Sequence, residues 1–98
     1  MAKAGGKIDV TVKVFGGLRG LLGQARITIS LPLGSDVERL LAAIAATHPE
    51  LSSRLREGIE RGYVSALLNG RNIRFLDGLE TRLEDGDSLA FLPPVGGG

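Results

Sequence analysis

The chain contains no cysteine. That excludes disulfides, thiolate-held metals and cysteine nucleophiles together, and it fits a reducing, intracellular setting. It has a single histidine, His48, so any Ser-His arrangement would have one possible base, and the Gly-x-Ser-x-Gly nucleophile elbow is missing too. Long apolar runs are also missing. The longest, Leu40 to Ala46, falls far short of the roughly 20 residues that cross a bilayer. The opening Met1-Ala-Lys-Ala-Gly-Gly-Lys7 has no apolar segment of a signal peptide. Neither charge sign dominates: twelve Lys and Arg against eleven Asp and Glu leave a formal +1, with no general pull toward phosphate backbones or anionic lipid. These absences describe a soluble, cytoplasmic protein with neither nucleic acid nor membrane as partner.

What is present is enough for one modest core. The 98 residues are 43% hydrophobic and 23% charged, a globular balance at single-domain length and too apolar for a disordered chain. Ile8, Val10, Val12 and Val14 alternate with Asp9, Thr11 and Lys13, the period of a half-buried strand. Arg26-Ile-Thr-Ile-Ser-Leu31 alternates again, so the two form a hairpin around a Gly-rich loop, Gly16 to Gly23. Ser35-Asp-Val-Glu38 has the spacing of a capping box. Val37, Leu40, Leu41, Ile44 and Ala45 follow as one helical stripe, which Pro49 ends. Leu51, Leu55 and Ile59 mark a second, shorter helical stretch stopped by Gly62.

From Tyr63 the pattern returns to strand, through Tyr63-Val-Ser-Ala-Leu-Leu68. Asn69-Gly70 is a hairpin turn, because both central positions of a type I′ turn need positive φ. Ile73 and Phe75 continue the return strand, Asp85-Gly86 turns again, and Ser88-Leu-Ala-Phe-Leu92 is the last strand. The order β-β-α-(α)-β-β-β is α+β: a mixed sheet with one principal helix on one face, its first and last strands parallel at the centre. It is compatible with a β-grasp, ubiquitin-like domain over residues 1–92, with residues 93–98 as a tail. Charge is segregated along this chain. Residues 1–34 hold five cations against Asp9, while residues 62–98 hold three against five acids.

Candidate sites are few. Gly16 to Gly23 lacks the Gly-Lys-Ser/Thr ending of a phosphate loop and lies between two strands. His48, at a helix end beside Pro49, reads as structural or solvated. No carboxylate cluster at ligand spacing implies a metal, and Glu84, Asp85 and Asp87 fall at a turn, where acids bond locally. What remains is the ending Leu92-Pro-Pro-Val-Gly-Gly-Gly98. Two prolines favour extended backbone. Fully extended, Pro93 to Gly98 reaches about 20 Å, and the missing side chains let it thread a narrow channel. On composition alone a frayed terminus fits equally well.

The stretch Asp85-Gly-Asp-Ser-Leu-Ala-Phe-Leu-Pro-Pro-Val-Gly-Gly-Gly98 resembles the ending of the MoaD/ThiS ubiquitin-like sulfur carriers, most of all the molybdopterin synthase small-subunit branch. Phe15 followed by Leu18-Arg19, Pro49-Glu-Leu51 and Leu68-Asn-Gly70 agree with it. Gly20 stands where that family often has an acid, and residues 50–62 are longer than compact members need. The resemblance implies that the Gly98 carboxylate is the functional group. A ubiquitin-activating-type adenylyltransferase similar to MoeB would adenylate it with ATP and Mg. A sulfur donor protein would convert it to a thiocarboxylate, and a synthase large subunit similar to MoaE would receive the sulfur. No cofactor or metal would be bound by the chain itself.

The same resemblance assigns Pro93, Pro94, Val95, Gly96 and Gly97 to the partner's channel. By strand phase Phe15 steps out of the core set, and Leu92 lies on the face opposite Leu89 and Phe91. Both then belong to an apolar docking patch, with Phe75 as a further candidate. Related carriers serve cysteine, thiamine, tungsten-cofactor or tRNA thiolation, a ubiquitin-like modifier would use the same terminus, and an inert interaction module would use none of it.

Overall fold

In a computed structural model, which describes residues 6–93, strand β1 (Lys7–Val14) buries Ile8, Val10, Val12 and Val14. It pairs antiparallel with β2 (Arg26–Pro32), in register from Lys7 opposite Pro32 to Lys13 opposite Arg26. Ile27 and Ile29 share the core phase yet are only partly buried, because β2 is an edge strand. The last strand, β5 (Ser88–Leu92), runs parallel to β1, Thr11 beside Ser88 and Val14 beside Phe91. β3 (Ser65–Leu68) flanks β5 antiparallel, and β4 (Arg71–Asn72) closes the order β2-β1-β5-β3-β4. A parallel pair needs a crossover, and the helices fill it. This is the α+β, β-grasp architecture expected from the sequence, with Phe91, Leu89, Leu40, Leu41, Leu51 and Leu55 at the core.

Several local features differ. The loop after β1 is structured: a 3-10 turn over Gly16–Leu18 leads into a short helix α1 (Arg19–Leu22), because Leu22 is drawn into the core and Gly23, at φ 87°, caps the turn. Helix α2 (Val37–Thr47) is capped by Asp36, whose carboxylate accepts from the Arg39 amide at 2.9 Å. Ser35 is buried and its hydroxyl donates to the Pro32 carbonyl at 2.7 Å. Glu38 turns outward to Arg56, so the capping box does not form. A charged acceptor one residue later outcompetes the serine. Ala45, placed in the buried stripe by its spacing, is exposed on the flank of α2.

Pro49 also begins the next helix, α3 (Pro49–Arg61), which at 13 residues is longer than the 11 of α2; proline lacks the amide that a first turn leaves unbonded. The Ser52 hydroxyl donates to the Leu41 carbonyl at 2.7 Å and ties the two helices together. Beyond the Asn69-Gly70 turn, where φ is 51° and 90°, the return strand stops at Asn72. Its side chain accepts from the Arg74 amide at 3.0 Å, curling Ile73–Phe75 into a 3-10 turn. Such an Asx turn competes directly with the sheet ladder. Tyr63 and Val64 precede β3 as a link and are not part of it.

Two predictions follow from this packing. An added Cβ on Gly58 would stand 2.4 Å from Val64 Cγ2. Gly58→Ala should therefore lower stability by about 1–3 kcal/mol in urea titration despite its better helix propensity. Val64→Ala in the same chain should recover only part of it, because the Val64 Cβ itself stands 2.9 Å from the added carbon. Arg56 holds both Glu38 oxygens, at 2.7 and 2.8 Å, and these hydrogen bonds keep the Glu38 carboxyl below its usual range. A lowered acid pKa stabilises above the unfolded value and loses that contribution as pH falls through the folded one. Glu38→Gln should erase this acid-side loss, an effect below about 1 kcal/mol because the pair is part-exposed. Denaturation midpoints between neutral and acid pH read it.

Candidate functional site

The site is built where β5 leaves the sheet. Beyond Val14, the Phe15 amide donates to the Phe91 carbonyl at 3.2 Å, extending the central pairing by one residue and fixing the turn that follows. Gly16, at φ 67°, lies directly against Pro93: a Cβ there would sit 2.7 Å from the proline Cγ. No side-chain-bearing residue fits that close approach and that backbone together. Pro93 is thus seated on the turn after β1 and leaves the sheet in a defined direction.

On the helix side of this exit, a cavity of about 400 Å³ is lined by Leu18, Arg54, Glu57, Gly58, Tyr63, Val64 and Pro93. Tyr63 is 59% exposed. On the open face of the sheet, Leu92 is half-buried in register with Ser65, and Ala90 with Leu67. Phe15 is 38% exposed. The structure therefore brings Phe15, Leu92 and Pro93 to one end of the molecule. Phe75 is 80% exposed past β4, with the Arg74 guanidinium 5.8 Å from its ring centre, in a turn and not on the return strand that the sequence pattern implies. Pro94, Val95, Gly96, Gly97 and Gly98 lie outside the described residues.

The turn carboxylates are engaged within the fold. Asp85 accepts from the Asp9 amide at 2.7 Å, and Asp87 accepts from the Asn69 side chain at 2.9 Å and the Glu84 amide at 2.8 Å. His48 sits at the junction of α2 and α3, its Nδ1 2.8 Å from the Thr47 hydroxyl. Among the described residues no three His, Asp or Glu gather as a metal site, and no helix is long and apolar enough to cross a membrane. Sequence reasoning missed the seat that Gly16 makes for Pro93 and the cleft at Tyr63, Arg54 and Glu57. A glycine between hydrophobic strands signals a turn, but not which distant residue packs on it.

Comparison with known proteins agrees with this fold. A profile of the ThiS family matches residues 12–98. Small archaeal modifier protein 3 of Haloferax volcanii is 34% identical, over 93% of this chain and all of that protein. A molybdopterin synthase sulfur carrier subunit of Chlamydomonas reinhardtii is 33% identical, again over 93% of this chain and all of the relative. The solution structure of small archaeal modifier protein 1 from Methanosarcina acetivorans superposes with a TM-score of 0.77 at 36% identity, covering 96% of this chain and 100% of that one.

The seat under Pro93 is testable directly. Gly16→Ala should cost about 1–2 kcal/mol from the left-handed backbone alone and displace Pro93 as well. The expected record is a lower denaturation midpoint, with amide chemical-shift changes concentrated at Phe15 and Leu92. A variant with unchanged shifts at both would contradict the seat.

Proposed function

Since the chain belongs to the ThiS family, we propose that it is a sulfur carrier whose working group is the carboxylate of Gly98. The observation that carries this reading is the continuity of the family match through residue 98 with a last strand that delivers the tail from a braced exit at Gly16 and Pro93. A carboxylate is a poor acyl donor, so it is first activated. An adenylyltransferase joins it to the AMP portion of ATP, with Mg, and pyrophosphate leaves. A persulfide on a sulfur donor protein then attacks the acyl carbon and AMP departs. A thiol, of the donor protein or a small molecule, then attacks the donor-side sulfur of the acyl disulfide. The S–S bond breaks, a thiocarboxylate stays on Gly98 and the two remaining sulfurs leave joined as a disulfide. A loading step that consumes ATP accords with a cytoplasmic protein.

Gly96 and Gly97, behind Pro93, Pro94 and Val95, give the terminus the slimness to enter a partner's active site. Phe15, Leu92 and Phe75 offer apolar surface for the proteins that load and unload the sulfur. The destination favoured here is the dithiolene of the molybdenum cofactor, with this chain as the small subunit of a molybdopterin synthase; the Chlamydomonas relative of matching length supports it. A second reading is supported by the two archaeal modifier proteins: the same adenylated terminus joined to lysines of other proteins.

The test is an intact and fragment mass spectrum after incubation with ATP, an activating enzyme and a sulfur donor. Replacement of one oxygen by sulfur on the Gly96–Gly98 fragment is the expected result. Met1 is the only methionine, so oxidation, which has nearly the same mass shift, falls at the opposite end of the chain. Deleting Gly98, or adding one residue after it, should abolish sulfur loading while leaving the denaturation midpoint unchanged. Adducts bearing this chain's terminus on target lysines would favour the modifier reading. An unaltered terminus with a competent enzyme would leave only an inert interaction module.

A further inference from the structure

The open sheet face carries an electrostatic conflict beside the tail exit. Lys13 and Arg26 stand directly opposite each other on β1 and β2, a placement in which like charges destabilise an antiparallel pair. Arg19, at the start of α1, joins them around a cavity of about 260 Å³ completed by Val14, Phe15 and Ala25. No acid lines it. Elsewhere Arg54 meets Glu50, Arg56 meets Glu38 and Arg61 meets Glu57. Among the described residues the side chains of Lys13, Arg19 and Arg26 make no ion pair. Arg39, Arg71, Arg74 and Arg82 are unpaired there too, so it is the grouping of three cations around one acid-free cavity that sets this cluster apart. The carboxylates of the same sheet sit at its other end, where Asp9, Asp85 and Asp87 are held by Ser30, Asn69 and backbone amides.

We propose that Lys13, Arg19 and Arg26, grouped around the exposed Phe15, are a docking collar for the carboxylate-bearing rim of the enzyme that adenylates the tail. This rests on the sulfur-carrier reading. Position names the occupant: Phe15 is bonded to Phe91 and Gly16 supports Pro93, so the collar borders the exit. A tail of Pro93 to Gly98 reaches at most about 20 Å, so whatever acts on its end works within that distance of this end of the sheet. Charge names the chemistry. Two guanidiniums and an ammonium suit carboxylates, which arginine grips in pairs, and Phe15 supplies an aromatic anchor at the centre. Such a collar acts mainly on the rate of encounter, and salt screens it.

Lys13→Glu separates this role from a structural one. It places opposite charges across the strands, so the denaturation midpoint should rise while docking weakens. With the adenylyltransferase of the same organism, the association rate of the full chain should fall about tenfold or more at low salt, and its salt dependence should flatten. In ATP–pyrophosphate exchange kcat should hold while kcat/KM falls, with Arg19→Glu acting in the same direction and Lys13→Arg behaving as the unaltered chain. A raised midpoint with unchanged association and salt dependence overturns the collar alone. An unaltered chain that the enzyme does not adenylate overturns the sulfur-carrier reading, and the occupant assigned here with it. Salt-sensitive binding of a short RNA, or self-association, that Lys13→Glu abolishes while adenylation is untouched would assign the cluster to a different occupant and equally overturn the proposal.

Discussion

The parallel pairing of β1 with β5 is the constraint from which the rest of the molecule follows. Strands running the same way cannot be joined by a tight turn, so the chain between Val14 and Ser88 must travel the length of the sheet and return outside it. Everything else is inserted into that journey: a hairpin partner on one side of the pair, two helices across one face, and β3 with β4 on the other side. Because both central strands have neighbours on each edge, Val10, Val12, Leu89 and Phe91 are fully covered. The pairing also sets direction, since the two strands finish at the same end and the chain leaves the sheet over the turn that follows β1.

Polar groups are divided between two ends of this sheet. At the start of β5 they are consumed by structure: Asp9, Asp85, Asp87, Asn69 and Ser30 bond one another and nearby amides, locking the turns that align β1, β3 and β5. At the finish, cations face solvent with no acid beside them, and an aromatic and a proline share the surface. Stability is thus concentrated at one end and available surface at the other. Among the described residues no buried side-chain polar atom lacks a partner, so the surplus charge at the exit is not a sign of a generally frustrated fold.

Much of this was legible because periodicity reports burial. The alternation in β1 and β5 and the stripe through Leu40, Leu41 and Ile44 passed from sequence to structure unchanged, as did Asn69-Gly70, where both residues take the positive φ the turn demands. The misreadings lie where two local signals compete. Ser35 and Asp36 both cap helices well, and the choice went to the residue whose backbone was extended with its carboxylate free to reach the Arg39 amide. Asn72 belongs to a strand by position, yet its side chain bonds the Arg74 amide and ends that strand. Pro49 stops one helix and starts another, and spacing alone cannot say which role governs.

Fold class and the central strand pair were determined by the sequence itself, because each depends on local period or on the chemistry of a few adjacent residues. The surroundings of the exit were decided only in three dimensions. That Gly16 lies beneath Pro93, that Tyr63 and Leu18 border the same cleft, and that Lys13, Arg19 and Arg26 converge on Phe15 depend on strand register and on how α1 folds back. A charge separated by many residues from its neighbours carries no signal of who those neighbours are. Only the register of β1 against β2 set two cations face to face.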